Sequence, residues 1–143
     1  MIDRFRGNYL YLSNMYACKV VYDGMEFRCS EAAFQAAKVK DKNIRKRFTE
    51  MDGYEAKKEG RKVKLREDWN EVKLNIMGRI LLDKFVRNPE LGIALMKTGN
   101  ELLIEGNNWG DRYWGVCNGV GENNLGKLLM RLRKYLINEC KGS

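Results

Sequence analysis

Three polar residues in an alanine-rich stretch have the types and the spacing of an active-site face. Glu31, Gln35 and Lys38 stand at positions i, i+4 and i+7 of the segment Ser30–Lys38, which contains four alanines and favours a helix. At about 3.6 residues per turn, the three side chains share one face, and the helix dipole favours a carboxylate in the first turn. A carboxylate, an amide and an amine together form either the wall of an active site or a solvated polar stripe.

Residue types that are missing restrict the chemistry further. The 143 residues include no histidine, which excludes Ser-His-Asp and Cys-His catalysis and any histidine-ligated metal. Four cysteines without C-x-x-C spacing are expected to be isolated thiols rather than a zinc site: Cys18, Cys29, Cys117 and Cys140. We expect no metal and no cofactor. Because histidine is missing, carboxylates, lysine or tyrosine must move the protons if the protein is an enzyme.

The charge of the chain bears on its partner. The net charge is +8, from 27 basic and 19 acidic residues, and the basic residues concentrate between Lys38 and Arg66. This balance favours a polyanionic partner or a phosphorylated substrate, although it also suits an ordinary solvated surface. No apolar run approaches the roughly 20 residues that span a membrane, and the first residues lack a signal-peptide core. We therefore expect a cytoplasmic protein with no membrane partner.

The elements expected before and after the polar face can be placed by their turn and cap signals. Asp23-Gly24 between two short apolar runs predicts a β-hairpin that leads into Ser30, the expected N-cap. Amphipathic spacing predicts helices over residues 41–51, 54–60 and 69–86. The last of these is the longest, and Asp68 is its expected N-cap.

The C-terminal half alternates helices with a long polar segment. Pro89 is expected at the first position of a helix, and residues 102–104 are expected to form a short buried strand. Residues 105–124 contain five glycines and five asparagines around the rings of Trp109, Tyr113 and Trp114. Such rings either stack on a planar ligand or fix a long connection to the core. A final amphipathic helix follows, and the whole chain of residues 1–143 is predicted to be one α+β domain, predominantly α-helical with a small β-hairpin or sheet.

A series of short segments, taken in chain order, resembles the NADAR (YbiA-like) N-glycosidase family. The resemblance covers nearly the whole chain, and no single piece carries it alone. The matching pieces are Phe5 with Gly7, Leu12–Tyr16, Val21–Phe27, Ser30–Lys38, Trp69-Asn70, Met77, Lys84-Phe85, Asn88-Pro89, Asp111–Gly115, Gly121–Gly126 and Leu129-Met130.

This resemblance implies a mostly helical α+β domain that hydrolyses N-glycosidic bonds to ribose. Members of the family act on phosphoribosylamino-pyrimidine intermediates of riboflavin synthesis, and others remove ADP-ribose from guanine bases of nucleic acid. The implied partners are thus a phosphorylated ribosyl or ADP-ribosyl substrate and nucleic acid that carries the modified base. By matching positions, the residues implied to line the pocket are Glu31, Lys38, Trp69, Asp111 and Trp114, with Asn14 near it. We expect the catalytic residues to be Glu31, Lys38 and Asp111, and the substrate-binding residues to be Asn14, Gln35, Trp69, Trp114, Gly115 and Asn123.

The chemistry of ribose–nitrogen cleavage suits these residue types. The reaction builds an oxocarbenium-like cation on the sugar. A carboxylate such as Glu31 either stabilises this cation or activates the attacking water. Lys38 either holds a substrate phosphate or attacks a ring-opened ribose as a Schiff-base amine. Asp111 would orient ribose hydroxyls or supply the acid, while the tryptophans would stack on the base.

A rival interpretation is a module that binds nucleic acid or ADP-ribose without catalysis. The net charge and the basic run Arg61–Arg66 support it. It gives no role to the carboxylates of Glu31 and Asp111, and this is where the two interpretations differ.

Overall fold

The chain divides into two compact units in the computed structural model, which describes residues 1–142. One unit is Asn14–Asn88, and the other joins Met1–Ser13 to the chain from Pro89 onward. Helices dominate both units and every strand is short, which confirms the predicted α+β, predominantly helical class. The extent of a single domain over residues 1–143 stays a prediction. Among the described residues, no helix has the length and apolar character needed to cross a membrane.

The unit Asn14–Asn88 begins with the predicted hairpin. Strands β1 (Val20–Tyr22) and β2 (Met25–Phe27) pair in antiparallel fashion. Asp23 and Gly24 connect them with φ angles of 53° and 72°, the positive values that a two-residue type I′ turn requires. The hairpin prediction is confirmed, and this strand pair leads the chain to the helix that carries the polar face.

The N-terminus of this helix, α1 (Ser30–Ala36), differs from the prediction. Its N-cap is Cys29, so the prediction that Ser30 caps the helix is wrong. The hydroxyl of Ser30 is buried and makes no hydrogen bond among the described residues. The backbone N–H of Glu31 instead donates to the carbonyl of Asn14 at 2.9 Å. A distant backbone group therefore replaces the side-chain cap.

The C-terminal end of α1 also comes earlier than expected. Regular helix stops at Ala36, and Lys38 lies in the turn that follows. Its N–H donates to the carbonyl of Gln35 at 3.2 Å, so the tighter turn continues the path of the helix. The backbone N–H of Arg66 donates to the Lys38 carbonyl at 2.8 Å and fixes this turn.

Three further helices complete the unit. The predicted helix over residues 41–51 is divided into α2 (Lys42–Arg47) and a 3-10 turn, Phe48–Glu50. Helix α3 (Gly53–Gly60) carries a capping box, and α4 (Trp69–Arg87) is the longest helix, as predicted. The carboxylate of Asp68, at the N-cap position of α4, makes no cap bond and pairs with Arg66 at 2.6 Å.

The second unit contains α5 (Pro89–Lys97) and α6 (Asn124–Lys141), which pack on each other. Two-residue parallel strands, β3 (Gly106–Asn107) and β4 (Val116–Cys117), interrupt the polar segment. Pro89 begins α5 as predicted. The predicted strand over residues 102–104 is wrong, because only Leu103 pairs, in a single bridge with Ile2, and the side chain of Leu102 is exposed.

Candidate functional site

Glu31 and Gln35 are linked across one turn of α1. The amide Nε2 of Gln35 donates to the carboxylate Oε2 of Glu31 at 2.7 Å. Glu31 is half-buried, whereas Gln35 is only 5% exposed and its Oε1 has no hydrogen-bond partner among the described residues. The shared face predicted for this pair is present. Gln35 orients the carboxylate, and its contact with a substrate stays a prediction.

Lys38 is half-buried beside this pair, one turn beyond Gln35. Burial is the main cause that lowers the pKa of its amine below the ordinary 10.5. The carboxylate of Glu31 opposes that change, while the positive charges of Arg61 and Lys57 add to it. An acid and an amine therefore stand close enough to influence each other, as the face of three residues predicts.

Two other residues of the same unit that are predicted to bind substrate, Asn14 and Trp69, are largely buried. Asn14 is 8% exposed; its Nδ2 approaches the sulfur of Met77 at 3.6 Å, and its Oδ1 lacks a partner among residues 1–142. Trp69 is 7% exposed, and its ring packs at a tilt on Phe34 with centroids 5.0 Å apart. Trp69 thus contributes to the core beneath α1, and stacking on a substrate base stays a prediction for it.

In the other unit, Asp111 braces a turn of the polar segment. Its Oδ1 accepts from the backbone N–H groups of Tyr113 and Trp114 at 3.1 and 2.9 Å. Its own N–H donates to Asn107 Oδ1 at 3.0 Å. Trp114 is half-buried and meets Tyr113 edge-to-face at 4.8 Å. These bonds give Asp111 a structural role, and its catalytic role stays a prediction.

Gly115 and Asn123 also serve the backbone of this segment. A Cβ on Gly115 has no room, since the side chain and carbonyl of Glu105 occupy that space. Asn123 is buried; its Oδ1 accepts from the N–H of Glu105 at 3.0 Å, and its Nδ2 donates to the carbonyl of Leu103 at 2.9 Å. Both polar ends of the amide are therefore occupied by main-chain groups, and substrate contact stays a prediction for both residues.

A buried lysine was missed by the sequence reasoning. Lys84 of α4 is 0% exposed, with its Nζ 5.1 Å from the ring centroid of Phe85 and 5.8 Å from that of Tyr16. Burial lowers its pKa to about 8. Lys84 follows Met77 by seven residues and Ile80 by four, so helical spacing already places it in the apolar stripe of α4. Strongly perturbed groups of this kind concentrate at functional sites.

Comparison with known proteins agrees with this fold. The model of the NADAR domain matches residues 4–137. N-glycosidase YbiA of Shigella sonnei is 37% identical over 131 residues, covering 89% of this chain and 81% of that protein. A riboflavin biosynthesis protein of Vibrio vulnificus is 31% identical over 133 residues, covering 90% of this chain and 36% of that protein.

A solved structure extends the similarity to three dimensions. The NMR structure of YbiA from Escherichia coli matches with a TM-score of 0.87 and 33% identity, over 100% of this chain and 90% of that chain. The family model, the similar relatives and the matching fold thus define one class of protein. The chain belongs to the NADAR domain family.

Proposed function

We propose that this protein hydrolyses an N-glycosidic bond between ribose and a base or amine nitrogen. The observation that carries the proposal is the arrangement of α1 and the turn after it, where Gln35 orients the carboxylate of Glu31 and that carboxylate acts on the amine of Lys38. The names of the relatives, an N-glycosidase and a riboflavin biosynthesis protein, support it. Neither histidine nor a metal is needed for this chemistry.

Glu31 supplies the charge that the reaction needs. As the C1′–nitrogen bond breaks, its electron pair leaves with the nitrogen, which takes up a proton, and positive charge develops on the sugar. A carboxylate at this point stabilises the cation and accepts a proton from the attacking water, whose oxygen bonds to C1′. The bond from Gln35 keeps the carboxylate in one orientation, so little reorganisation is needed during the reaction.

Lys38 has two possible roles, which make opposite demands on its charge. As a nucleophile, the neutral amine attacks C1′ of a ring-opened sugar and expels the nitrogen, and water then hydrolyses the imine and returns the amine. As a phosphate ligand, the amine stays protonated. The lowered pKa favours the first role because more of the amine is neutral near pH 7 than in an exposed lysine.

Two substrate classes fit the proposal. The net charge of +8 favours ADP-ribosylated guanine in nucleic acid or nucleotide. The relative named for riboflavin biosynthesis favours a phosphoribosylamino-pyrimidine intermediate. Both carry a phosphorylated ribose linked through C1′ to nitrogen, and both suit a cytoplasmic enzyme.

Release of free sugar tests the proposal. Purified protein is incubated with an ADP-ribosylated guanine oligonucleotide and, separately, with a ribosylamino-pyrimidine phosphate, and the sugar and base are separated by chromatography. We expect cleavage of at least one substrate. Cleavage of neither, by folded protein, would exclude both substrate classes.

Covalent capture tests the role of Lys38. Borohydride added during turnover reduces an imine and leaves the sugar on the lysine, which mass spectrometry of a digest then locates. Sugar on Lys38 is expected, and Lys40, an exposed lysine two residues away, serves as the internal control. If turnover is measured and Lys38 carries no sugar, only the phosphate-binding role remains for Lys38.

The second candidate, a non-catalytic binding module, has one structural feature in its favour. A groove beside α2 and α3 is lined by Lys40, Arg47, Lys62 and Lys64, although Asp41, Glu59 and Glu67 also border it. Such a module predicts steep salt dependence of binding to any strand and no release of sugar. Salt-dependent binding together with unaltered substrate would favour this candidate.

A further inference from the structure

The turn that carries Lys38 lies outside regular secondary structure, so its backbone carbonyls need partners from other elements. Helix α1 ends at Ala36, and residues 37–39, the Lys38 turn, follow it. The carbonyls at the end of a helix have no partner within the helix itself. Here each of the three carbonyls of the Lys38 turn accepts a hydrogen bond from an arginine. The backbone of Lys38 is therefore held on both sides.

Arg66 supplies two of these hydrogen bonds. Its backbone N–H donates to the carbonyl of Lys38 at 2.8 Å, and its Nη1 donates to the carbonyl of Ala37 at 3.5 Å, the longest of the three bonds. A fork to Asp68 fixes the guanidinium, with Nε–Oδ1 and Nη2–Oδ2 distances of 2.6 and 3.1 Å. Asp68 stands at the N-cap position of α4 but makes no cap bond there. A residue type that is well suited to cap a helix thus holds the arginine instead.

Arg45 of α2 supplies the third hydrogen bond from a buried position. It is only 7% exposed, and its Nε donates to the carbonyl of Val39 at 2.7 Å. Its Nη1 donates to Oδ2 of Asp23 at 2.9 Å, and its guanidinium carbon lies 5.4 Å from the ring centroid of Tyr22. Both partners belong to the hairpin, at the end of β1 and in the turn that follows. The hairpin therefore holds Arg45, which in turn holds the residue after Lys38.

We propose that Arg45 and Arg66 are positioning residues for Lys38 in the proposed reaction. Their bonds to carbonyls on both sides of Lys38 fix the backbone from which its side chain extends. Because lysine has a flexible four-carbon stem, a fixed backbone limits the space that its amine samples. A displacement of about 1 Å is enough to lower the rate of a positioned group by about a hundredfold. This inference rests on the proposed function for the role of Lys38.

Amide hydrogen exchange, followed by NMR, tests the hold on the Lys38 turn without requiring turnover. The N–H of Lys38 donates to a carbonyl of α1 at 3.2 Å and exchanges when the turn opens. We expect Arg45→Met and Arg66→Met each to accelerate its exchange by about tenfold or more. Arg87→Met is the control, expected to stay within about twofold of the wild type. Arg87 forms a comparable fork with Asp83, at 3.0 and 2.9 Å, and within the described part of the chain it donates no bond to the Lys38 turn.

Two further substitutions remove the carboxylates that hold the arginines and leave the arginines in place. Asp23→Gly keeps the positive φ of the hairpin turn, which glycine adopts without strain. Asp68→Asn keeps the shape of the side chain and removes its charge. Each is expected to accelerate exchange of the Lys38 N–H by a smaller factor than the substitution of its arginine. These two variants decide the test if thermal unfolding shows that Arg45→Met or Arg66→Met is not folded.

A double-mutant cycle separates positioning from general support of the fold. Arg66→Met is expected to lower kcat/KM by about tenfold, less than the direct loss of the amine. Arg66→Lys, which can still pair with Asp68, is expected to lose less. In the Lys38→Ala background, Arg66→Met should cost less than about twofold, because the residue that it positions is absent. A residue that only supports the fold would cost the same factor in both backgrounds.

The two measurements fail independently. The proposal is overturned if exchange of the Lys38 N–H in the folded variants matches that in Arg87→Met, or if the losses of Arg66→Met and Lys38→Ala multiply in full. Faster exchange in variants of a protein that cleaves no glycoside would retain the hold on the Lys38 turn and remove the proposed function alone.

Discussion

The polar face of α1 and the polar segment 105–124 were both expected to supply catalytic groups, yet they use their side chains differently. On α1, Gln35 bonds to Glu31, side chain to side chain, while main-chain groups are satisfied by the helix and, at Glu31, by the carbonyl of Asn14. In the segment, Asp111 and Asn123 bond to backbone N–H and carbonyl groups that no regular element satisfies. Helical backbone leaves polar side chains available for chemistry, whereas an irregular backbone uses them for its own hydrogen bonds.

The largest effect is expected at Glu31 on α1 and at Lys38 in the turn that follows it. Glu31→Gln and Lys38→Ala should each lower turnover by about a hundredfold or more, the scale of an acid–base group, with little change in thermal unfolding. Lys40→Ala is the matched control for the lysine. Turnover within a few-fold of the wild type in both purified variants would remove this face from the mechanism.

The matched substitution in the segment is Asp111→Asn. The amide keeps an oxygen for the N–H groups of Tyr113 and Trp114, so the turn is retained while the charge is lost. We expect a smaller loss of turnover than in Glu31→Gln. An equal loss in a folded variant would show that the segment contributes a charge to the reaction and that the contrast with α1 does not extend to function.

Local signals predicted those parts of the fold that neighbouring residues determine. Asp23-Gly24 fixed the hairpin through its turn geometry, and Pro89 fixed the start of α5. Ser30 was predicted to cap α1 because serine is a good N-cap in isolation. The carbonyl of Asn14, which is distant in sequence, accepts the hydrogen bond from the N–H of Glu31 instead.

The candidate site was predicted to the extent that it follows helical periodicity. Spacing alone placed Glu31 and Gln35 on one face, as the structure has them. Arg45 and Arg66 have no comparable signal, because their bonds to residues 37–39 are tertiary contacts. The position of Lys84 in the apolar stripe of α4 does indicate burial. Because lysine is rarely buried, only the apolar residues of that stripe were predicted to be buried.

We expect Lys84 to make the stability of the unit Asn14–Asn88 depend on pH. Its pKa is about 8 in the folded protein and near the ordinary 10.5 when unfolded, so the unfolded chain binds more protons between these values and stability rises with pH. Urea unfolding of the wild type, measured relative to Lys84→Met, should gain about 2 to 3 kcal/mol from pH 7 to pH 10. A difference that does not change with pH would show that the amine titrates like an exposed lysine.

A smaller effect, on stability rather than rate, is expected from Asn123→Ala. The substitution leaves the N–H of Glu105 and the carbonyl of Leu103 without their partner, which should lower the free energy of unfolding by about 2 kcal/mol. Chemical denaturation measures this change, and steady-state kinetics measures KM on the same protein. A large rise in KM with unchanged stability would instead assign the amide to the substrate.

The smallest expected effect concerns the charges around Lys38. Three charged groups act on its amine: Glu31 from α1 raises the pKa, and Lys57 and Arg61 from the end of α3 lower it. Lys57→Met removes a positive charge, so the protonated amine becomes less unfavourable and the pKa rises. We expect the limb of the pH–rate profile that reports Lys38 to move to higher pH.

The direction of that limb distinguishes the two roles of Lys38. If the neutral amine attacks the sugar, the turnover number rises with pH through the pKa, and if the protonated amine holds phosphate, it falls. The turnover number is measured at saturating substrate, so that a change in substrate affinity does not enter the comparison. Lys58→Met changes the net charge by the same amount and should leave the limb in place. An equal displacement of the limb in both variants would show that net charge causes it, and not the position of Lys57 near Lys38.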